Sequence, residues 1–259
     1  MEQTVKENSI TQGVIWKQLL IFFFSILIGT FFQQLYNTVD TIVVGQYVGT
    51  QALAAVGTTG TMINLLVGFF VGVSSGATVI ISQFFGAGDA KNVSRAVHTS
   101  MALALVGGLI ITVLGLLTAR PSLVMLGVPE EILGDALTYM NVYYAGIIAC
   151  MIYNVGTGVL RAIGDSRMPL YVLIVCCLVN IVLDLLFVVG FHWGVFGVAI
   201  ATALSQVVSA VLIMLRLMLT RESYRVELKK IRFDRSILKN VIRIGLPAGM
   251  QSVLYSVSN

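Results

Sequence analysis

Apolar residues in this chain fall into long runs separated by short polar connections. The runs lie at roughly 17–40, 53–82, 96–118, 136–160, 169–190 and 195–219. Each is long enough for the ~20 apolar residues that carry a helix across a bilayer. A seventh run opens near Val241 and continues to Asn259. The second run exceeds one membrane thickness, which predicts a tilted helix or one that extends past the interface. The pattern predicts an all-α polytopic membrane protein: a six-helix transmembrane bundle plus the start of a seventh helix. Along the chain this divides into a tail at 1–16, the bundle at 17–219, a basic linker at 220–240 and the opening of helix seven at 241–259.

Composition agrees. Hydrophobic residues make up 57% and charged residues 11%, where a soluble domain carries about 25% charged. A soluble fold of this length could not hide so much apolar surface, so lipid must serve as solvent. The 25 glycines suit helices whose backbones approach closely in a membrane. The first run leads into Val39-Asp40 rather than a small-residue cleavage site, so it reads as a retained span rather than a signal peptide.

Charge then orients the chain. Lys6, Lys17, Lys91, Arg95, Arg161 and Arg167, with nine basic residues from Arg216 to Arg243, fall on one side of the predicted bundle. Arg120 alone falls on the other. By the positive-inside rule the richer side is cytoplasmic, with the N-terminus inside a cytoplasmic (inner) membrane. The segment from Arg221 to Lys239 reads as a cytoplasmic linker with a short interfacial helix, its positive charge holding it inside.

Against this background two carboxylates stand out. Asp40 and Asp184 sit inside apolar runs, whereas the other ten acidic residues lie in connections or the tail. A carboxylate in hydrocarbon costs about 2.5 kcal/mol or more unless paired, protonated or hydrated. Such a residue marks an ion path or a substrate site. Asn180 lies four residues before Asp184 and shares its helix face. Asp184 and Thr202 both fall roughly 10 Å below the outer surface at 1.5 Å per residue, and Asp40 lies near the outer end of the first span. If those helices are neighbours, four oxygen-bearing side chains converge. Oxygen ligands suit a hard cation such as Na⁺, and a desolvated carboxylate can carry H⁺ instead.

Other chemistry is not in view. Cys150, Cys176 and Cys177 read as small buried hydrophobes, and His98 and His192 are isolated in sequence. No phosphate loop or HExxH occurs, so neither an enzyme nor a cofactor is expected, and no metal beyond Na⁺ at the carboxylates. Two inner turns, Gly86 to Lys91 and Ile163 to Arg167, each set a glycine before an aspartate. They read as tight turns in which the aspartate caps the next helix. A shift of 219 residues lays Leu35-Tyr36 on Leu254-Tyr255, Leu19 on Leu238 and Asp40 on Asn259. Parallel repeats are a transporter habit, so the chain reads as part of a protein nearly twice as long.

The run Asp40-Thr41-Ile42-Val43-Val44-Gly45, the turn Gly86 to Lys91, Arg161-Ala162-Ile163-Gly164-Asp165 and Asn180-Ile181-Val182-Leu183-Asp184 together resemble the multidrug and toxic compound extrusion (MATE) family. Gly245-Leu246-Pro247 resembles the opening of that family's second bundle. The resemblance covers essentially the whole chain. It implies the N-lobe of a 12-helix, two-lobe antiporter that exports organic cations and other drugs against Na⁺ or H⁺. It also implies a coupling-cation site at Asp40, Asn180, Asp184 and Thr202, with Asn154 as a neighbour. The implied partners are the bilayer, small organic substrates and a second six-helix lobe, with no nucleic acid. Two alternatives stand beside it. A lipid-linked oligosaccharide flippase of related architecture should carry basic residues inside its spans to hold pyrophosphate, and these spans lack them. A six-span partner subunit or non-transporting fragment predicts indifference to changes at Asp40 and Asp184.

Overall fold

A computed structural model describes residues 15–258. The tail through residue 14, with Lys6, and the repeat position Asn259 lie outside the described residues. Seven helices follow one another with no strand among the described residues: α1 Ile15–Val43, α2 Thr50–Gly86, α3 Ala90–Met125, α4 Glu130–Ala162, α5 Arg167–Asp184, α6 Gly194–Leu219 and α7 Arg235–Ser258. Among the described residues, α2, α3, α4, α6 and the stretch Arg167–Gly190 are long and apolar enough to cross a membrane. Lipid leaves no other choice of structure, because a backbone without water must satisfy its own N–H and C=O groups.

The ends of the helices are set by the polar punctuation between them. After α2, Gly88 turns through a positive φ of 70°, and the Asp89 carboxylate accepts the Asn92 N–H at 3.0 Å. After α4, Gly164 turns at φ 86° and Asp165 accepts the Met168 N–H at 3.0 Å. On the other side of the bundle α4 opens with Glu130 and Glu131 in its first turn, where negative charge meets the positive end of the helix dipole.

At the centre stands α4, packed against α2, α3 and α6, while α5 bridges α6 to α1. Met140, Tyr144, Ile147, Met151 and Leu160 of α4 are sealed from solvent. Outward-facing residues such as Leu109, Leu117, Leu178 and Val182 stay exposed, as side chains that meet acyl chains should. Where α5 ends and α6 begins, Phe187 stacks on Trp193 with centroids 5.1 Å apart. Phe191 and Phe196 flank the same indole, an aromatic cluster of the kind found at membrane interfaces.

Two features go beyond what the sequence pattern specifies. First, α7 begins at Arg235, six residues before Val241, because Asp234 caps it. The Asp234 carboxylate accepts the Ser236 hydroxyl at 2.7 Å and the Ile237 N–H at 3.3 Å. The interfacial helix expected within 221–239 is reduced to one 3₁₀ turn, Leu228–Lys230. Second, α7 lies along α2 at backbone contact. A Cβ on Gly76 would collide with the Val241 carbonyl oxygen, and one on Gly245 with that of Val73. Only glycine permits this approach, the close packing that membrane helices use in place of a hydrophobic driving force.

Candidate functional site

The site is built where α1, α4, α5 and α6 meet, toward the C-terminal ends of α1 and α5. On α5, Asn180 and Asp184 are one turn apart and fully buried. Thr202 is buried on α6, eight residues from the start of that helix at Gly194. From α1, Asp40 faces the Asp184 carboxyl. Two tyrosines complete the ring. Tyr36, one turn before Asp40, and Tyr139 of α4 both reach toward Thr202 and lie within the field of Asp40.

This cluster is unusual in what it leaves unsatisfied. Asp40 Oδ1, both carboxylate oxygens of Asp184, Oδ1 and Nδ2 of Asn180 and Oγ1 of Thr202 are buried with no hydrogen-bond partner among the described residues. Buried polar atoms are nearly always paired, and an unpaired one costs about 1–3 kcal/mol. Two carboxylates facing each other in an apolar bundle add mutual repulsion unless a positive charge lies between them. The inward-pointing oxygens, two of them carboxylate groups, make a donor set matched to a hard cation or a proton. Among the described residues there is no cluster of three or more His, Cys, Asp or Glu that could hold a metal ion.

Both carboxylate-bearing helices lose their regular winding just beyond the site. α1 passes into a π turn at Val44–Val48, ended by Gly49 at φ 117°, and α5 passes into another at Leu185–Gly190. The two π turns touch each other and α6. Such wide turns recur at functional sites, where they hold a helix between two registers.

Of the residues singled out from sequence, Asp40, Asn180, Asp184 and Thr202 come together here. Asn154 does not. It lies 15 residues beyond Tyr139 on the same helix, ~22 Å along the axis. Its amide nitrogen donates to the Cys150 carbonyl at 2.8 Å. Tyr36 and Tyr139 went unnoticed. Tyr36 had a signal, its i, i+4 spacing from Asp40 on one helix face. Tyr139 had none, since only the packing of α4 against α6 brings it near. The three cysteines are free and buried; Cys176 donates its thiol to the Ser205 carbonyl at 3.4 Å.

At the opposite end of the bundle the carboxylates are partnered instead. Hydrogen bonds from the Asn92 backbone and side chain hold the Asp89 carboxyl below its usual range. Asp234 is pulled down to about 2, first by the Ser236 hydroxyl, then by the Ile237 N–H and Arg95.

Comparison with known proteins completes the picture. The MatE family profile matches residues 25–186, a stretch that includes Asp40, Asn180 and Asp184. A probable multidrug resistance protein of Bacillus subtilis, YoeA, is 26% identical over 269 aligned positions, covering 99% of this chain and 58% of the relative. The solved outward-facing conformation of a multidrug resistance MATE family transporter superimposes with a TM-score of 0.91 at 30% identity, over 99% of this chain and 57% of that one. An inward-facing conformation of a multidrug resistance MATE family transporter superimposes less fully, with a TM-score of 0.80 over 87% of the chain. The chain spans about half the length of the curated relatives it matches.

Proposed function

The chain belongs to the MatE family, and from that premise we propose that it forms the cation-handling half of a transporter that exports drugs and other xenobiotics in exchange for Na⁺ or H⁺. The transporter works in the cytoplasmic membrane, with the chain's N-terminus inside. The observation that carries this reading is the set of orphaned buried oxygens on Asp40, Asn180, Asp184 and Thr202. A protein keeps unpaired carboxylate oxygens in hydrocarbon at a cost, and a cation that binds and leaves offsets that cost in one state only.

Coupling needs the ion to prefer one conformation over another. An ion or proton arriving from outside neutralises the Asp40–Asp184 pair and draws α1 toward α5. Release restores the repulsion and loosens the outer ends of both helices. The π turns at Val44–Val48 and Leu185–Gly190 are where this shift is taken up, because a π turn can rewind to α and rotate the segment beyond it. Tyr36 and Tyr139 position Thr202 and screen the carboxylates. The drug leaves from the face that α1 presents to the second lobe, where Gln33, Gln34, Asn37 and Thr38 are exposed.

Charge placement speaks against a pyrophosphate-carrying substrate. Every Lys and Arg of α3, α4, α5 and α6 lies near a helix end rather than in its interior. The test is Asp184→Asn in the complete two-lobe protein reconstituted in vesicles. Cation-dependent export of a fluorescent organic cation should disappear. Export that responds to the cation gradient as before would overturn the assignment.

A further inference from the structure

His98 is buried on α3 and takes no part in the carboxylate site. Its ring is held at both nitrogens. Nδ1 lies 2.7 Å from the Ser94 carbonyl oxygen, which obliges Nδ1 to carry a proton and donate. Nε2 lies 3.0 Å from the Glu227 backbone nitrogen and accepts its N–H, which obliges Nε2 to be bare. The contact therefore exists only for the neutral imidazole in its Nδ1–H tautomer.

What this ring holds is the linker between α6 and α7. One turn of α3 fastens the linker at two points. His98 takes the Glu227 N–H, and Thr99 Oγ1 accepts the Asp234 N–H at 3.2 Å while Arg95 forms an ion pair with the Asp234 carboxylate. Tyr224 and Val226 are buried beside this attachment. Asp234 also caps α7, so the attachment fixes where the first helix of the second half begins.

We propose that His98 is a proton-operated latch on the inner face, which holds the linker and the start of α7 when neutral and lets go when charged. Protonation places an N–H on Nε2 directly opposite the Glu227 N–H, so an acceptor becomes a second donor and the bond is lost. The latched state binds one proton fewer than the unlatched state, so acid on the inner face favours release. The charged ring has a new partner at hand in the Glu227 carboxylate, whose field already includes His98 and which now accepts from Lys230 at 2.8 Å. The turn Leu228–Lys230 must rearrange to deliver it. Other charges around the ring change little between neutral and mildly acidic pH. Arg95 and Arg225 keep theirs, α2 carries none, and α4 and α7 bring only Arg161, Arg235, Lys239 and Arg243 at their inner ends. The Arg95–Asp234 pair survives the same acidification, since Asp234 titrates at about 2. One fastening thus responds to pH and the other does not.

The test uses the full chain in lipid nanodiscs, with amide hydrogen exchange of the segment 224–233 corrected for the intrinsic effect of pH. From about pH 8 to about pH 5.5 the wild type should lose protection about fivefold, the factor that one net hydrogen bond sets. His98→Gln keeps an acceptor at the Nε2 position and should stay protected throughout. His98→Ala should exchange at pH 8 as the wild type does in acid. A wild type and a His98→Gln variant with the same corrected profile would overturn the latch. Should either variant misfold, ¹⁵N-histidine NMR of the wild type decides by itself. The Nδ1–H tautomer at high pH supports the latch, and the Nε2–H tautomer rules it out.

Discussion

Aspartate is used in two opposite ways in this molecule. At the end of the bundle where α5 begins, Asp89, Asp165 and Asp234 each cap a helix, and Asp165 and Asp234 also meet an arginine, Arg216 at 3.9 Å and Arg95. Those carboxylates are satisfied by their surroundings. Near the other end, Asp40 and Asp184 have buried oxygens without partners among the described residues and face each other. The same side chain is an anchor where water and backbone donors surround it and is left unpaired where neither does. Under the proposed function, the contrast separates structural from transport roles without reference to the residue type.

The sharpest way to break this contrast is to neutralise one aspartate from each class in a complete two-lobe protein. Asp184→Asn should reduce cation-driven export by on the order of tenfold or more, while Asp165→Asn should leave coupling intact and cost only some stability. Equal effects on coupling would erase the distinction. A second prediction concerns the α2–α7 contact. Gly76→Leu inserts a side chain where a Cβ already meets backbone and should destabilise the α7 attachment by about 1–3 kcal/mol, read as a lower unfolding temperature in detergent.

A smaller effect is expected at Asp234. Its folded pKa is depressed to about 2, so its charged form stabilises the fold. That contribution is complete above the ordinary carboxylate range near 4 and fades as pH falls toward 2. Asp234→Asn should remove this acid dependence and lower Tm by about 2 °C at neutral pH. An unchanged acid limb in thermal melts would place the dependence on another group. The smallest effect is predicted for Asn154→Ala. Its amide bonds within α4, far from the carboxylates, so the cation dependence of export should be that of the wild type, and a shift in that dependence would bring Asn154 back into the site.

Much of this arrangement was legible in the residues. Long apolar runs can only be helices in lipid, and the rarity of charge inside them made Asp40 and Asp184 conspicuous. The i, i+4 spacing tied Asn180 to Asp184 before any packing was known. What stayed hidden depends on contacts between distant parts of the chain. Tyr139 joins the site only because α4 packs against its neighbours, and the π turns at Val44–Val48 and Leu185–Gly190 have no sequence pattern distinct from α-helix. His98 looked isolated because its partner, Glu227, lies 129 positions away. The helical reach of α7 back to Arg235 follows from a cap whose value depends on Arg95 and Thr99 of another helix.

The measurement that bears most directly on the ion-acceptor role is cation binding by the chain itself, wild type against an Asp40→Asn, Asp184→Asn double variant. Radioactive sodium binding is measured at fixed pH, and proton uptake is measured in sodium-free buffer between about pH 9 and pH 6, the window in which an ordinary exposed carboxylate takes up no proton. The wild type should bind one sodium ion, or take up one proton more than the double variant in that window, and the double variant should bind no sodium. Identical binding and identical uptake by the two proteins would mean that Asp40 and Asp184 hold no ion.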